Sequence, residues 1–444
     1  MAVMSKGRFY HIVMQKTFLY LDIILLVGVA LFIFFALPKI IYYIIGMFSH
    51  KPQKLPKSKT NHKFALLIPA RNESAVIEKL LQSLDMQTFP RECFDIFVAV
   101  ESGDDPTCAI AKSYDAEVYI KQDFSHNGKG YVLEELIDYI FHFKEDKNYE
   151  AFMIIDADNI LASDYLEKMN NALDAGYDIA LGYRNSKNWN SGWVSACTGL
   201  TFTRFSHFQN YAKSKFNSTV YLSGTCYYIK TDIVKEHGGW IWHSLTEDVQ
   251  LTSVAAINGY NTIYLDDAVF YDEQPTDVRT SFNQRRRWLK GFFDNKALYK
   301  TDLQKGVFAE KSNSLACFEM SLGSLCMICF AFCFAIYTLG NFGIILANIK
   351  NIPVVRMALI RILLSWAGYF WALYLDTAIM LITERKRINM KPSKKLQAII
   401  MRPVYSLMYI PVAISTLFKQ VEWTPIKHNI NAIDDLEKTD KVKK

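Results

Sequence analysis

Apolar positions follow two patterns along this chain. Four long runs, near residues 17–48, 315–347, 357–382 and 398–418, are apolar almost throughout. Each approaches or exceeds the ~20 residues a helix needs to cross a hydrocarbon core. Between the first two, from about 62 to 300, short apolar stretches alternate with amphipathic ones. That alternation predicts a mostly parallel sheet covered by helices. Residues 64–70 (FALLIPA) read as a buried strand and 74–86 as a helix. Residues 94–100 (FDIFVAV) make a second strand, with a helix beginning near Pro106. A short third strand is expected at 116–121, a helix at 130–143, and a fourth strand at 152–155 running straight into Asp156-Ala157-Asp158. Later strands are expected at 179–182, 220–222, 227–230 and 262–265. Helices are expected at 249–258 and from about Asp277 to Leu289, the latter stopping before Gly291. The chain thus divides into a spanning helix (1–50), a mixed domain (51–300), crossing or interfacial helices (301–420) and a tail (421–444).

Composition sharpens this division. With 444 residues, 51% hydrophobic and 21% charged, the chain is neither disordered nor collagen-like. The apolar runs exclude a purely soluble protein, and the mixed half excludes a pure transporter. A net charge of +6 is too small to point to nucleic acid, which is not an expected partner. Its placement says more. Lys51, Lys54, Lys57, Lys59 and Lys63 follow the first run, and Arg385, Lys386, Arg387, Lys391, Lys394 and Lys395 follow the third. Basic residues near spans stay on the cytoplasmic side, so the 51–300 domain is expected there, at a plasma membrane crossed several times. Lys6, Arg8 and Lys16 pull the other way. Three full crossings after residue 300 would leave the mildly basic tail outside, so the 398–418 run, with Arg402, Pro403 and Pro411, is the candidate for an interfacial or re-entrant segment. The eight cysteines suggest no disulfide framework; Cys326, Cys329 and Cys333 suit small buried hydrophobes.

In open α/β sheets, ligands bind beyond the carboxyl ends of the strands. Polar clusters follow three expected strands: Arg71, Asn72 and Glu73; Glu101, Ser102 and Asp104-Asp105; and Asp156 with Asp158. No GxGxxG or Walker pattern is present, and His126-Asn127-Gly128-Lys129-Gly130 is not a P-loop, so a nucleotide would be held another way. Asp156 and Asp158 suit a hard divalent cation, or an Asx-turn. Thr246-Glu247-Asp248 suits a helix start as well as chemistry. Gln284, Arg287 and Trp288, at i, i+3 and i+4, share one helix face. An amide, a guanidinium and an indole there could bind a diphosphate and stack on a sugar. Arg285, Arg286 and Lys290 would face anionic headgroups.

Taken in order, Glu101, Asp156-Ala157-Asp158, Thr246-Glu247-Asp248 and Gln284-x-x-Arg287-Trp288 resemble the family 2 glycosyltransferases, in particular the membrane-integrated synthases of cellulose, chitin and hyaluronan. Flanking matches are Pro69-Ala70-Arg71-Asn72-Glu73, Gly128-Lys129-Gly130, Ser223-Gly224-Thr225 and Asp272-Glu273-Gln274-Pro275. The resemblance covers about residues 60–300 and the flanking apolar helices. It implies a GT-A (Rossmann-like) α/β domain inserted between transmembrane helices. It implies that Arg71, Glu73 and Lys129 line a nucleotide pocket, with Glu101 where the family has an aspartate. Asp156 and Asp158 would hold a diphosphate through Mg2+ or Mn2+, and Asp248 would be the general base. Ser223, Gly224, Thr225 and Glu247 would border the acceptor sugar. Gln284 and Arg287 would grip the diphosphate, and Trp288 the end of the growing chain. The implied activity is inverting transfer from a UDP-sugar, UDP-glucose before UDP-N-acetylglucosamine, onto a growing β-linked polysaccharide moved across the membrane.

Asp376, Arg356, Arg361 and Arg402 lie within apolar runs. They read either as snorkelling or internally bonded groups, or as the lining of a polysaccharide conduit. Four spans are few for a channel, so a homo-oligomer or an accessory subunit would complete one, among membrane lipids. Trp423, Thr424 and Lys427 look similar to the gating segment of related synthases, or to an interfacial anchor. Two other functions share these motifs: a single-transfer enzyme making a glycolipid, and an inactive export or scaffold subunit.

Overall fold

The short apolar stretches of the middle segment become one eight-stranded sheet in the computed structural model, which describes residues 6–49, 53–323, 325–418 and 421. Its strands are β1 (Phe64–Pro69), β2 (Phe94–Val100), β3 (Glu117–Ile120), β4 (Ala151–Ile154), β5 (Ile160–Leu161), β6 (Ile179–Ser186), β7 (Tyr227–Lys230) and β8 (Thr262–Asp272), in the order β3-β2-β1-β4-β7-β6-β8-β5. The helices are α1 (Lys6–Phe48), α2 (Ile77–Asp85), α3 (Thr107–Ser113), α4 (Lys129–Phe143), α5 (Tyr165–Asp174), α6 (Trp193–Phe205), α7 (Tyr211–Lys215), α8 (Thr231–Glu236), α9 (Glu247–Asn258), α10 (Val278–Leu298), α11 (Lys300–Gly306), α12 (Ser314–Ser321), α13 (Leu325–Ala347), α14 (Ile352–Thr383), α15 (Pro392–Leu407) and α16 (Tyr409–Phe418). A π-helical turn, Ser206–Asn210, joins α6 to α7.

The expected mostly parallel sheet is found, with β1, β2, β3, β4, β6 and β8 all running one way. β7 is antiparallel to both β4 and β6, and β5 to β8, so the sheet is mixed. Alternate residues of β1 serve opposite cores. Phe64, Leu66 and Ile68 pack with α2, α3 and α5 through Ile77, Leu80, Leu84, Ala111 and Met169. Ala65 and Leu67 face α4 and α9 through Leu133, Ile137, Leu251 and Ala255. The 3.6-residue spacing of Ile77, Leu80, Leu81 and Leu84 puts all four against the sheet.

Three sequence expectations are corrected. Residues 220–222 are not a strand, because side chains take up their backbone: Val220 N–H donates to Thr262 Oγ1 and Leu222 N–H to Thr252 Oγ1. β8 continues beyond Leu265 to Asp272, since the Asp266-Asp267 pair forms an irregularity opposite Gly182 and Tyr183 rather than a turn. α10 does not stop before Gly291 but runs on to Leu298.

The chain divides into two compact units. One takes in the described residues up to Ile41 and those from Phe318 to Asp376; the other comprises Tyr42–Cys317 and the described residues from Thr377 onward. In the first, Phe18, Leu21, Tyr337, Ile344 and Ala358 pack together. Arg361 of α14 donates to both Asp22 oxygens on α1 and to Asn341 Oδ1 on α13, which ties three helices together. Arg361 is therefore an internal tie rather than a group left to line a conduit.

Among the described residues, four helices or helix pairs are long and apolar enough to cross a membrane: Phe9–Phe48, Ser314–Ala347, Ile352–Thr383 and Pro392–Phe418. The last is two helices meeting at Met408, with α15 packed on α6 and α16 on α10. Arg402 is buried there, donating to Cys197 O at 3.0 Å and Thr201 Oγ1 at 3.2 Å.

Candidate active site

Because β1, β2 and β4 are parallel neighbours, their carboxyl ends open onto one crevice, where the sheet order changes direction. After β1, Asn72 adopts a left-handed φ of 56°. Its N–H donates to Asp105 Oδ2 at 2.8 Å, and Glu73 N–H donates to Thr107 Oγ1. This turn presents Arg71 to Glu101 at the end of β2, Nε to Oε2 at 2.8 Å. Arg71 and Glu101 thus pair across the ends of neighbouring strands.

The centre of the crevice is built around Lys129, the first residue of α4. Its ammonium donates to Asp156 Oδ1 at 2.5 Å and Gly224 O at 2.6 Å, and lies 3.7 Å from Glu247 Oε1. Burial works against this charge, but Asp156 and Glu247 outweigh it and hold its pKa above the ordinary lysine value. Asp156 N–H donates to Thr225 Oγ1, whose hydroxyl donates to the buried Asn159. Asp158 is buried; its Oδ2 accepts from Glu273 N–H at 3.1 Å and its Oδ1 from Asn159.

Glu247 and Asp248 open α9 as side-by-side carboxylates. Burial, then the adjacent Glu247 charge, pushes Asp248 up to about 7, although Lys129 and Arg287 pull it down. Gly224, with φ +91°, is where only glycine sits without strain, and a Cβ there would meet Asp248 Oδ2 at 3.7 Å. The Asp248 carboxyl therefore lies beside the Gly224 backbone, where any side chain at 224 would touch it.

Gln284, Arg287 and Trp288 are half-buried on α10. Gln284 Oε1 is buried without a hydrogen-bond partner among the described residues. Trp288 meets Phe202 edge-on at 5.6 Å. Arg285 does not face headgroups as expected. It is 1% exposed, donates to Ser281 O, Tyr405 O and Met408 Sδ, and lies over the Tyr405 and Tyr409 rings at 4.2 and 4.9 Å. Trp423, Thr424 and Lys427 lie outside the described residues.

The sequence reading passed over Arg184. It donates to Asp272 and to Ser223 O, and its guanidinium covers Phe202 at 3.6 Å. It therefore links β6, the 223–225 turn and the aromatic contact of Trp288. Burial pushes Asp272 up to about 6, against the pull of Arg184. The expected strand ends at Gly182, two residues short of Arg184, whereas β6 runs on to Ser186.

Gly291 explains why α10 continues. A Cβ there would lie 2.3 Å from Thr246 Oγ1, and Asn295 Nδ2 donates to both Thr246 O and Oγ1 at 3.1 Å. α10 is thereby seated on the turn that precedes Glu247. Gly291→Ala is expected to destabilise the protein by about 1–3 kcal/mol through overpacking. Adding Thr246→Ala should recover part of that loss in a denaturant titration; full additivity of the two changes would refute the contact.

The donor set fits a hard cation. Asp156 and Asp158 offer only oxygen. Among the described residues no group of three or more metal-ligating side chains occurs.

Residues 62–291 match the family described as glycosyltransferase like family 2. The probable glycosyltransferase YdaM of Bacillus subtilis is 26% identical over 262 residues, 54% of this chain and 58% of that protein. The beta-monoglucosyldiacylglycerol synthase of Trichormus variabilis is 23% identical over 242 residues, 51% of this chain and 48% of that one. A probable glucomannan 4-beta-mannosyltransferase of Arabidopsis thaliana is 23% identical over 290 residues, 60% and 54% respectively. The chain spans about half the length of the curated relatives it matches. Among solved structures, the mannosyltransferase PcManGT from Pyrobaculum calidifontis, in complex with GDP-Man and Mn2+, has the same fold: TM-score 0.54 at 16% identity, over 89% of this chain and 99% of that one.

Proposed function

This chain belongs to glycosyltransferase family 2, and from that premise we propose that it catalyses inverting transfer of a sugar from a UDP-sugar, with UDP-glucose as the first donor and UDP-N-acetylglucosamine the second, onto the end of a growing β-linked polysaccharide that is passed across the membrane. The observation that carries the reading is Asp248, a carboxyl pushed up to about 7 that lies beside the Gly224 backbone. A base with a pKa near the working pH removes a hydroxyl proton efficiently as attack proceeds.

Asp156 and Asp158 are the residues that would hold Mg2+ or Mn2+, which when bound supplies Lewis-acid charge beside the diphosphate. Arg71, Glu73, Glu101 and Lys129 border the nucleotide. Gln284, through its amide N–H groups, and Arg287 meet the diphosphate, and Arg287 offsets charge growing on the departing UDP. Ser223, Gly224, Thr225, Glu247 and Trp288 bound the acceptor. Asp248 takes the acceptor proton, and in-line attack on an α-linked donor leaves a β-linked product. The gating role of Trp423, Thr424 and Lys427 belongs to the same proposal, as does a second copy or an accessory subunit completing the conduit.

Single transfer to a lipid is the second reading, favoured by the similarity to a beta-monoglucosyldiacylglycerol synthase. Purified full-length protein with Mg2+ or Mn2+ and a panel of UDP-glucose, UDP-N-acetylglucosamine and GDP-mannose separates the two. A polymer retained on a sizing gel and cut by linkage-specific β-hydrolases is the expected product. A chloroform-soluble product carrying one sugar would replace the polymer with the glycolipid. No nucleotide release from any donor would remove the transferase reading.

A further inference from the structure

Away from the crevice, a cavity of about 340 Å³ lies beside the end of α14, one of the helices long and apolar enough to cross a membrane. Its floor is a closed set of charges. His207, carried on the π-helical turn, places Nδ1 3.1 Å from Asp266 Oδ1 and Nε2 3.0 Å from Gly46 O. Glu384 Oε1 is also 3.4 Å from Nε2. A carboxylate and a carbonyl can only accept, so both ring nitrogens carry protons and the imidazole is a cation. Burial opposes that charge, but the hydrogen bond to Asp266 and the Glu384 charge outweigh it, and the His207 pKa is raised. Arg387 donates to Asp266 Oδ2 at 2.7 Å and to Glu384 Oε2 at 3.3 Å, and Tyr183 O–H donates to Glu384 at 2.9 Å. Two cations and two carboxylates thus neutralise one another at the floor.

The rim differs. Arg385 and Lys386 are exposed, line the same cavity, and have no acidic partner within 4 Å among the described residues. The only hydrogen bond of the Arg385 guanidinium among them is a long one, 3.5 Å, to Ile382 O. Two uncompensated cations over a charge-neutral polar floor, with Thr383 beside them, make a receptor for one anion. Cations within a Debye length of a membrane surface attract anionic headgroups, and basic pockets beside spanning helices bind them.

We propose that this cavity binds a phosphate ester anion, read by Arg385 and Lys386 over the His207–Asp266–Glu384–Arg387 floor. Two sources share that chemistry: the headgroup of an anionic phospholipid and a soluble phosphate monoester. The site stands apart from the crevice and does not depend on the donor or product assigned there.

The test uses the full chain in detergent, titrated with dioctanoyl phosphatidylglycerol, dioctanoyl phosphatidylcholine and glycerol 1-phosphate, with binding read by calorimetry. Saturable binding of the phosphatidylglycerol, and little of the zwitterionic phosphatidylcholine, is expected. Arg385→Gln with Lys386→Gln, both on exposed positions, should weaken it about ten-fold or more. Glycerol 1-phosphate binding more weakly at the same site assigns a lipid source, and binding as tightly assigns a soluble ester; either supports the anion site. Lys394→Gln with Lys395→Gln, on the neighbouring helix, should leave affinity within about two-fold, because charge outside the cavity is screened. The proposal is overturned if that control pair weakens binding as much as the rim pair, if the rim pair has no effect, or if no anion binds saturably.

Discussion

Replacing Asp248 by asparagine is expected to reduce sugar transfer by about 10²–10⁴-fold while UDP binding stays within about two-fold. The amide keeps the shape of the carboxyl but cannot take a proton. The wild-type pH profile carries the second half of this expectation. A base works only when ionised, so kcat/KM should climb with pH, by roughly ten-fold per unit in its lower range. It should level off above about 7, the value to which burial and Glu247 push Asp248. In the variant that limb disappears. A residual rate that kept the same limb would assign the proton to another group.

Lys129→Met is the second large expected effect, and it acts on both stability and rate. The ammonium is the shared counter-charge of Asp156 and Glu247 and also holds Gly224 O. Without it Glu247 stays buried and uncompensated, which costs about 3–5 kcal/mol. The sign with pH follows from proton binding. Burial raises Glu247 above the ordinary glutamate value, and Lys129 opposes that rise. The folded variant therefore binds its Glu247 proton more tightly than the unfolded chain does. Its deficit should be small below the ordinary glutamate pKa and grow as pH rises through the folded value. Lys129 also lowers the pKa of Asp248, so the rate limb should move to higher pH. Denaturant titrations at several pH values, with the pH–rate profile, check both. A deficit independent of pH together with an unmoved limb would remove Lys129 from the charge ring.

Much of this site was legible in order rather than in contact. The strand ends that carry Glu101 and Asp156, and the helix start that carries Asp248, follow from apolar stretches that stop abruptly at polar residues. What escaped was set by tertiary partners. Residues 220–222 have the apolar look of a strand, yet Thr252 and Thr262 take the hydrogen bonds that a neighbouring strand would have supplied. Gly291 looks like a helix stop, because nothing local reveals that Thr246 occupies the space of its missing side chain. Arg184 lies past the expected 179–182 strand, in the polar end of β6, and nothing local hints that Asp272, 88 residues later, will neutralise it.

Arg285 has a mechanical consequence. Its guanidinium is sunk between α10 and the α15–α16 pair without a carboxylate, held by a carbonyl of Tyr405, a sulfur and two ring faces. Arginine tolerates such a place because it is weakly hydrated and stacks on aromatic rings. Sliding α10 along its axis would strip that charge of every partner but the Ser281 carbonyl of its own helix. The helix bearing Gln284, Arg287 and Trp288 is therefore a fixed jaw rather than a piston, so on the polymer reading proposed above the sugar chain, and not this helix, is the part that moves.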